Sequence, residues 1–393
     1  MTTMFECQLT RKGFQWARTG HPWVYRDDLQ HAEGGSGDVV RVTYEGRVLG
    51  SAFLGTRSKI ALRWIERSEA PRTPDAAFWT ERIEKAHARR APLAQATNAY
   101  RVVHDAADGL PGLILDRYDA IAVVQTTTAG AERLLPLLAE VLPQALGVRG
   151  VVVRNDLAVR EKEGMAREAA RSLGPVPERV WVHESGPRRR VEFPVQPLGG
   201  QKTGAYLDQR ENRWRAAELA RGRFLDAFSN SGLFGLHAAP SVTEIVAVDT
   251  SGAALELLEE AARRNSIAQV RTVEQNVFDY LKEACQRSER FDTIVLDPPA
   301  FAKSRGEIPA AVRGYREINR RAMEILQPGG VLVSCSCSYH LSEADLIEVL
   351  RAAASDSRSD FRVLERRGQA SDHPTILCHP ESGYLKCILL EKV

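Results

Sequence analysis

The sequence predicts an α/β protein. Its C-terminal half should form a doubly wound parallel sheet, preceded by a small β-barrel-like module and a central α+β segment. Three observations predict this. Short apolar strands alternate with helical stretches from about residue 191 onward. Before about residue 70, glycine clusters such as Gly34 to Gly37 separate short alternating segments. And 393 residues exceed one ordinary core, so two or three domains are expected.

Taken in order, residues 1–70 carry the segments Asp38 to Tyr44 (DVVRVTY) and Lys59 to Trp64 (KIALRW), followed by a charged helical stretch from Pro74 to Arg90. Residues 75–190 form the central zone, with strands at Ile121 to Thr126 and Gly150 to Arg154. Between them Ala131 to Leu146 reads as helix, which Pro136 and Pro143 must kink or end. The Pro-, Gly- and Arg-rich run from Arg171 to Arg190 reads as a boundary. Residues 191–393 then supply five short apolar strands: Phe224 to Phe228, Ile245 to Asp249, Val270 to Glu274, Thr293 to Asp297 and Val331 to Cys335.

Composition narrows the function classes. Hydrophobic content of 44% and charged content of 26% are ordinary for a globular protein. A net charge of +2 excludes a uniformly basic body. No run of about 18 apolar residues predicts a membrane span, and no signal-peptide pattern opens the chain, so no membrane partner and a cytoplasmic location are expected. The cysteines Cys7, Cys285, Cys335, Cys337, Cys378 and Cys387 are sparse and irregular. The C-x-C pair has no partner pair at zinc-ligand spacing, so no metal is expected.

In a doubly wound sheet, ligands bind beyond the carboxyl ends of the strands. After the first strand comes DAFSNSGLFG, with Asp226, Phe228, Ser229, Asn230 and Gly232. Asn230 occupies a position where a dinucleotide fold has glycine, and Asn tolerates left-handed backbone. Gly232 would let the backbone approach a ligand. Asp226 would repel a pyrophosphate and suits a cationic amino group. Asp249 ends the second strand at the spacing of an acid that accepts ribose hydroxyls. Asn276, Val277 and Phe278 follow the third strand, where an adenine would meet them. An amino-acid end, a ribose and an adenine together describe S-adenosylmethionine, with S-adenosylhomocysteine as product. The fourth strand ends in DPPAF: Asp297, Pro298, Pro299 and Phe301. The prolines fix a rigid turn, and Phe301 can stack on a base.

Together DAFSNSG, Asp249, DPPAF and SCSCS resemble the class I S-adenosylmethionine-dependent methyltransferases, whose catalytic domain is Rossmann-like. More narrowly the chain resembles the bacterial large-subunit ribosomal RNA cytosine-5 methyltransferases with an N-terminal PUA domain. KGFQWARTGHPWVYRDDL, HDAADGLPGLILDRY, LGGQKTGAYLDQRENR and DHPTILCHPESGYLK carry that resemblance along nearly the whole chain. It implies a PUA-like RNA-binding domain, ribosomal RNA as partner and a homodimer. It also implies that Lys202, Thr203, Tyr206 and Arg210 lie over the cofactor or guide RNA. Core packing for Tyr206 and a solvated charge for Arg210 are the plain alternatives. One departure is that Pro298 and Pro299 stand where many such enzymes carry a cysteine. The form DPP-aromatic also resembles enzymes that methylate base nitrogens.

Cytosine C5 is a poor nucleophile, and a thiolate added at C6 makes it enamine-like. Cys337 stands at the ligand edge and is the expected nucleophile, with Cys335 deeper and packed. Asp297 would hold or protonate N3. His340 is a base, an RNA contact or a structural residue. In the N-terminal module Lys12, Arg18, His21, Trp23, Tyr25 and Arg26 mix basic and aromatic side chains, as RNA contacts do. At least one of Trp23 and Tyr25 is expected in the core. Two rival readings remain: a base-nitrogen methyltransferase, and an RNA-binding ribosome assembly factor.

Overall fold

The computed structural model describes residues 4–302 and 304–393, and of Arg305 the backbone alone. It divides into two compact units. The first comprises Met1–Val182, Val195–Leu207 and Asp372–Ser382, and the second His183–Pro194, Asp208–Ser371 and Gly383–Val393. This division differs from the three zones read along the chain: residues 195–207, expected in the C-terminal domain, group with the first unit.

Among the described residues, the first unit holds a six-stranded and a five-stranded sheet. The former is built from residues 5–66, closing on Cys7, Leu9, Val24, Val40, Val42, Leu54 and Leu62. Its strands include Val39–Tyr44 and Ile60–Glu66, close to the bounds the alternation predicts. The latter has Ile121–Thr126 at its centre. The helix expected around residues 131–146 breaks near Arg133. It restarts as Leu135–Leu146, with Pro136 in its first turn, and runs through Pro143 to Gly147 at φ 63°. Pro136 costs no hydrogen bond there because first-turn N–H groups have no helical acceptor. The run read as a boundary is not structureless: Arg171–Leu173 is an edge strand, and Val180–Ser185 another strand.

The second unit is a seven-stranded sheet. Its strands are β1 (Gly222–Ala227), β2 (Val242–Asp249), β3 (Val270–Glu274), β4 (Phe291–Leu296), β5 (Leu326–Ser336), β6 (Phe361–Arg367) and β7 (Lys386–Lys392). They lie in the order β3-β2-β1-β4-β5-β7-β6. The helices are α1 (Arg210–Leu219), α2 (Leu233–Ala238), α3 (Gly252–Arg264), α4 (Val277–Gln286), α5 (Ile308–Ile325) and α6 (Glu343–Asp356). The five predicted strands are present and parallel. The terminal pair β6 and β7 is antiparallel, which alternation of strand and helix does not announce. Helices α4, α5 and α6 bury Leu281, Tyr315, Ile318, Met323 and Leu346 against β1, β4 and β5.

A buried charge cluster underlies α1. Glu184 Oε1 accepts from Arg213 Nη2 at 2.6 Å and faces Arg210 Nε at 3.8 Å, while Glu184 Oε2 lies 3.1 Å from His237 Nε2. Burial alone would push the Glu184 carboxyl up, but Arg213, His237 and Arg210 outweigh it and hold it down to about 2. Arg210, expected to guide RNA, is therefore a correction: its side chain is 0% exposed and spent on this cluster. Glu184→Gln should destabilise the protein by about 3–5 kcal/mol, because two buried guanidinium groups lose their carboxylate. Denaturant unfolding at pH 7 measures this, and an unchanged midpoint would show that other groups hold the arginines.

Candidate active site

The carboxyl ends of β1, β2, β4 and β5 gather the predicted acids and cysteines of the second unit at one edge. The turn after β1 is left-handed at three residues, Phe228 (φ 62°), Asn230 (φ 48°) and Gly232 (φ 67°). Asn230 thus does what its type allowed. Gly232 serves packing: a Cβ there would come within 2.2 Å of Leu258 Cδ1 on α3.

Asp249 is held from both sides. Its Oδ2 accepts the Asn230 N–H at 2.8 Å and its Oδ1 the Ser251 N–H at 2.9 Å. Each oxygen keeps a second lone pair for a ligand hydroxyl. Ser229 Oγ is buried nearby with no hydrogen-bond partner, a polar group awaiting one. Asp226 is 1% exposed, and its Oδ2 accepts the Gly235 N–H at 3.1 Å. Burial, with the charges of Asp297 and Asp249, pushes its carboxyl up to about 8 against the pull of Gly235.

Beyond β3 the expectations hold unevenly. Asn276 Oδ1 caps α4 by accepting the Phe278 N–H at 2.9 Å, so that oxygen is already used. Val277 is 2% exposed in the core, a correction to its expected contact with adenine. Phe278 is half-buried, with its ring 5.9 Å from Phe301. Phe301 in turn lies 4.6 Å from Tyr315 and 6.4 Å from Phe228.

Asp297 is positioned by a residue the sequence reading missed. Gln209 Nε2 donates to Asp297 Oδ1 at 2.8 Å, and Gln209 Oε1 accepts from Asn212 Nδ2 at 2.7 Å. Arg367 Nε donates to Asn212 Oδ1 at 3.0 Å, which fixes the amide and leaves Gln209 its N–H to give. Gln209 stands inside the quoted LDQREN run, and only its contacts distinguish it there.

The two cysteines separate as expected. Cys335 is wholly buried and pairs across the sheet with Cys387. The hydrogen bond with Cys387, then burial, push its thiol up, so it stays protonated. Cys337 lies just past the end of β5, half-buried, and its thiol donates to the Pro298 carbonyl at 3.9 Å. Pro298 is buried and Pro299 exposed. Tyr315 closes the back of the site: its hydroxyl lies 3.0 Å from Ser338 Oγ and accepts from Ser336 Oγ at 3.0 Å. His340 is half-buried, with its ring 5.2 Å from Tyr339.

In the first unit, Lys202 lies over the Tyr206 ring at 4.3 Å, and the Tyr206 hydroxyl donates to Gln201. Thr203 is a correction: its buried hydroxyl is spent on Asp116 Oδ2 at 2.5 Å and Tyr118 at 2.9 Å, so it braces its own unit. Lys12 and Arg18 are exposed, with Lys12 Nζ 3.1 Å from Asp28. Trp23 is half-buried against His379, their rings 4.3 Å apart, while Tyr25 is 38% exposed. Arg26 is exposed and donates to the Ser58 carbonyl at 2.7 Å. A cleft of about 470 Å³ is lined by Lys12, Gln15, Trp16, Thr19, Tyr25 and Asp28, which adds the half-buried Trp16 to the aromatic residues there. His21, His379 and Glu381 bring ligand-type atoms within 4.8 Å of one another. The Trp23 N–H donates to His21 Nδ1 at 3.2 Å, however, which leaves the proton on Nε2 and no lone pair there for a metal.

Comparison with known proteins gives the family of the chain. A PUA-like domain model matches residues 8–67, and the model called Conserved hypothetical protein 95 matches residues 211–338. The chain is 37% identical over 380 residues to Ribosomal RNA large subunit methyltransferase I of Shewanella denitrificans, covering 93% of this chain and 94% of that one. The protein of the same name from Aeromonas salmonicida is 36% identical over 94% of this chain and 95% of its own. The chain belongs to the ribosomal RNA large subunit methyltransferase I family. Among solved structures, a putative methyltransferase complexed with SAH superposes with a TM-score of 0.82 at 18% identity, covering 99% of this chain and 100% of that one. A putative SAM-dependent methyltransferase from Streptococcus mutans gives 0.81 at 19%, with the same coverage. At that identity the likeness is one of fold.

The Asp226 environment makes a pH prediction. Its folded carboxyl titrates at about 8, far above the ordinary 3.8, so the folded state holds the proton more tightly than the unfolded chain. Its contribution to stability is therefore present at low pH and lost as pH rises toward 8. Without added ligand, Asp226→Asn should raise the melting temperature relative to wild type more at pH 8.5 than at pH 5.5. An equal difference at both pH values would show that the carboxyl is ionised throughout.

Proposed function

We propose that this protein transfers the methyl group of S-adenosylmethionine to C5 of a cytosine in large-subunit ribosomal RNA, through a covalent bond between Cys337 and C6. Family membership supports the ribosomal RNA methyltransferase reading. The position of Cys337 carries the cytosine reading: it is the half-buried thiol at the edge where Asp297 and the two prolines stand, while Cys335 is sealed against Cys387.

The residues present fit the cofactor. The paired oxygens of Asp249 suit the two ribose hydroxyls, and the unpartnered Ser229 hydroxyl offers one more polar contact. Asp226 suits a cationic amino end, which would draw its proton off. Phe278 and Phe228 supply apolar surface for adenine. When bound, S-adenosylmethionine supplies an electrophilic methyl group on a sulfonium.

The protein's own part is then to activate the base. The Cys337 thiolate adds to C6, and the C5=C6 electron pair shifts toward C5 as N3 accepts a proton or a hydrogen bond. Asp297, oriented by Gln209, serves N3. The turn at Pro298 and Pro299 keeps Asp297 fixed relative to Cys337 through the Pro298 carbonyl. After methyl transfer a base removes the C5 proton and the thiolate leaves. The cytosine has to be unstacked to reach this edge. Lys12, Arg18, Trp16 and Tyr25 offer the first unit's charged and aromatic contacts for RNA. A second reading, methylation of a base nitrogen, rests on the DPP-aromatic sequence and would leave Cys337 structural.

Two measurements test this. Asp249→Ala should weaken S-adenosylmethionine binding by about 2–4 kcal/mol in calorimetry, from two lost hydrogen bonds to a charged acceptor; unchanged affinity would remove Asp249 from the site. RNA carrying 5-fluorocytosine at the target should trap a covalent adduct, because fluorine blocks the final proton removal. Cys335→Ser should still form it and Cys337→Ser should not. An adduct surviving Cys337→Ser ends the assignment, and no adduct with active wild-type enzyme favours nitrogen methylation.

A further inference from the structure

The first unit carries a second cleft, of about 460 Å³, walled by five cationic side chains: Arg67, Arg72, Arg82, Lys85 and Arg89. Three acids, Glu66, Glu81 and Asp108, line it as well. The whole chain has a net charge of only +2, and this one cleft holds an excess of the same size.

Its ion pairs are exchangeable. The side chains of Arg72, Lys85 and Arg89 are 53%, 64% and 54% exposed. Arg72 Nη1 lies 3.0 Å from Glu81 Oε2, and Lys85 pairs with the same carboxylate. Arg89 Nη1 lies 2.7 Å from Asp108 Oδ1. Pairs this exposed contribute little to stability. Asp108 does not depend on Arg89, because Arg90 grips both its oxygens, at 2.6 and 2.8 Å. Arg67 and Arg82 are instead fixed in place. Their guanidinium groups lie over the Trp64 and Phe78 rings at 4.6 and 4.2 Å and donate to the Ala17 and Gly109 carbonyls. A carbonyl has no net charge, so these bonds hold both cations without neutralising them.

Beside the cations stands an apolar tip. Ile376 lines the cleft and begins a tight turn that closes at His379, with Leu377 and Cys378 at its end. Leu377 is 93% exposed, and no other large apolar side chain among the described residues exceeds 59%. The turn is pinned rather than loose. The His379 N–H donates to the Ile376 carbonyl at 2.9 Å, and the Ile376 N–H to Ser382 Oγ at 2.8 Å. The His379 ring packs 4.3 Å from that of Trp23. A leucine held out in water by a fixed turn adds no burial to the fold and offers all of it to a partner.

We propose that the cationic cleft and the Leu377 turn form an RNA-binding surface, in which the cleft holds backbone phosphates and Leu377 enters between adjacent bases. This rests on the reading of the protein as an RNA methyltransferase, and it adds residues distinct from those of the Lys12 and Tyr25 cleft. Cations grip an RNA backbone whatever its sequence. An apolar wedge beside them opens a base step, and unstacked RNA is what the proposed chemistry requires. Guanidinium groups match phosphates in shape and charge. A single leucine is too little apolar area to anchor on a membrane.

Binding of the full chain to protein-free large-subunit ribosomal RNA, measured over a range of salt concentrations, tests the cleft. The double variant Lys85→Gln, Arg89→Gln should lower the slope of log affinity against log salt by about 0.7–0.9 per residue. Leu377→Ser should weaken binding about tenfold and keep the wild-type slope. With a short adenosine oligomer containing 2-aminopurine, wild type should raise the fluorescence that reports unstacking, and Leu377→Ser should not. The replaced side chains are exposed, so melting temperatures should match wild type. Wild-type slope and affinity in the double variant overturn the proposal, as does a wild-type fluorescence rise with Leu377→Ser. Binding to phosphatidylglycerol vesicles that Leu377→Ser abolishes, with RNA binding unchanged, overturns it in favour of a membrane surface. A wild-type protein that binds no ribosomal RNA removes the preceding reading too, so the two failures are distinct.

Discussion

The site depends above all on how β5 is paired. On one side it runs parallel to β4, with Leu296 opposite Ser334; on the other it runs antiparallel to β7, with Cys335 opposite Cys387. The first pairing brings the end of β5 level with Asp297. The second delivers Lys386 opposite Ser336. Side chains alternate along a strand, so a slip of one residue would turn Cys335 and Cys337 to the other face and break both relations. Both neighbours hold β5 in register, and its apolar run, Val331 to Val333, is buried on both faces as an interior strand requires.

A second constraint is charge. Asp226, Asp249 and Asp297 converge at one edge, and each is handled differently. Asp249 is half-exposed and accepts two backbone N–H groups, one on each oxygen. Asp297 has a side-chain amide aimed at it from Gln209. Asp226 is deepest and holds its proton. An acid kept neutral is cheap to bury and becomes a partner once a cation arrives. The Glu184 cluster beneath α1 works the opposite way: there two arginines keep the acid ionised, and the result is structural support for the helix that follows Gln209.

The sequence by itself determined the doubly wound sheet, because its strand and helix alternation is regular and each strand is a short apolar run. It also determined which side chains stand at the strand ends, since Asp226 and Asp249 close their strands, Asp297 and Cys337 follow theirs directly, and none can be moved far from them. Tertiary structure decided what depends on pairing between distant segments. Gln209 reaches Asp297 across 88 positions, and Lys386 reaches Ser338 across 48. Arg210 and Thr203 look like ligand contacts in a polar run, yet Glu184 and Asp116 claim them. A polar side chain reads the same in sequence whether it faces solvent or a buried partner; burial and partner identity arise only when remote strands and helices close over it.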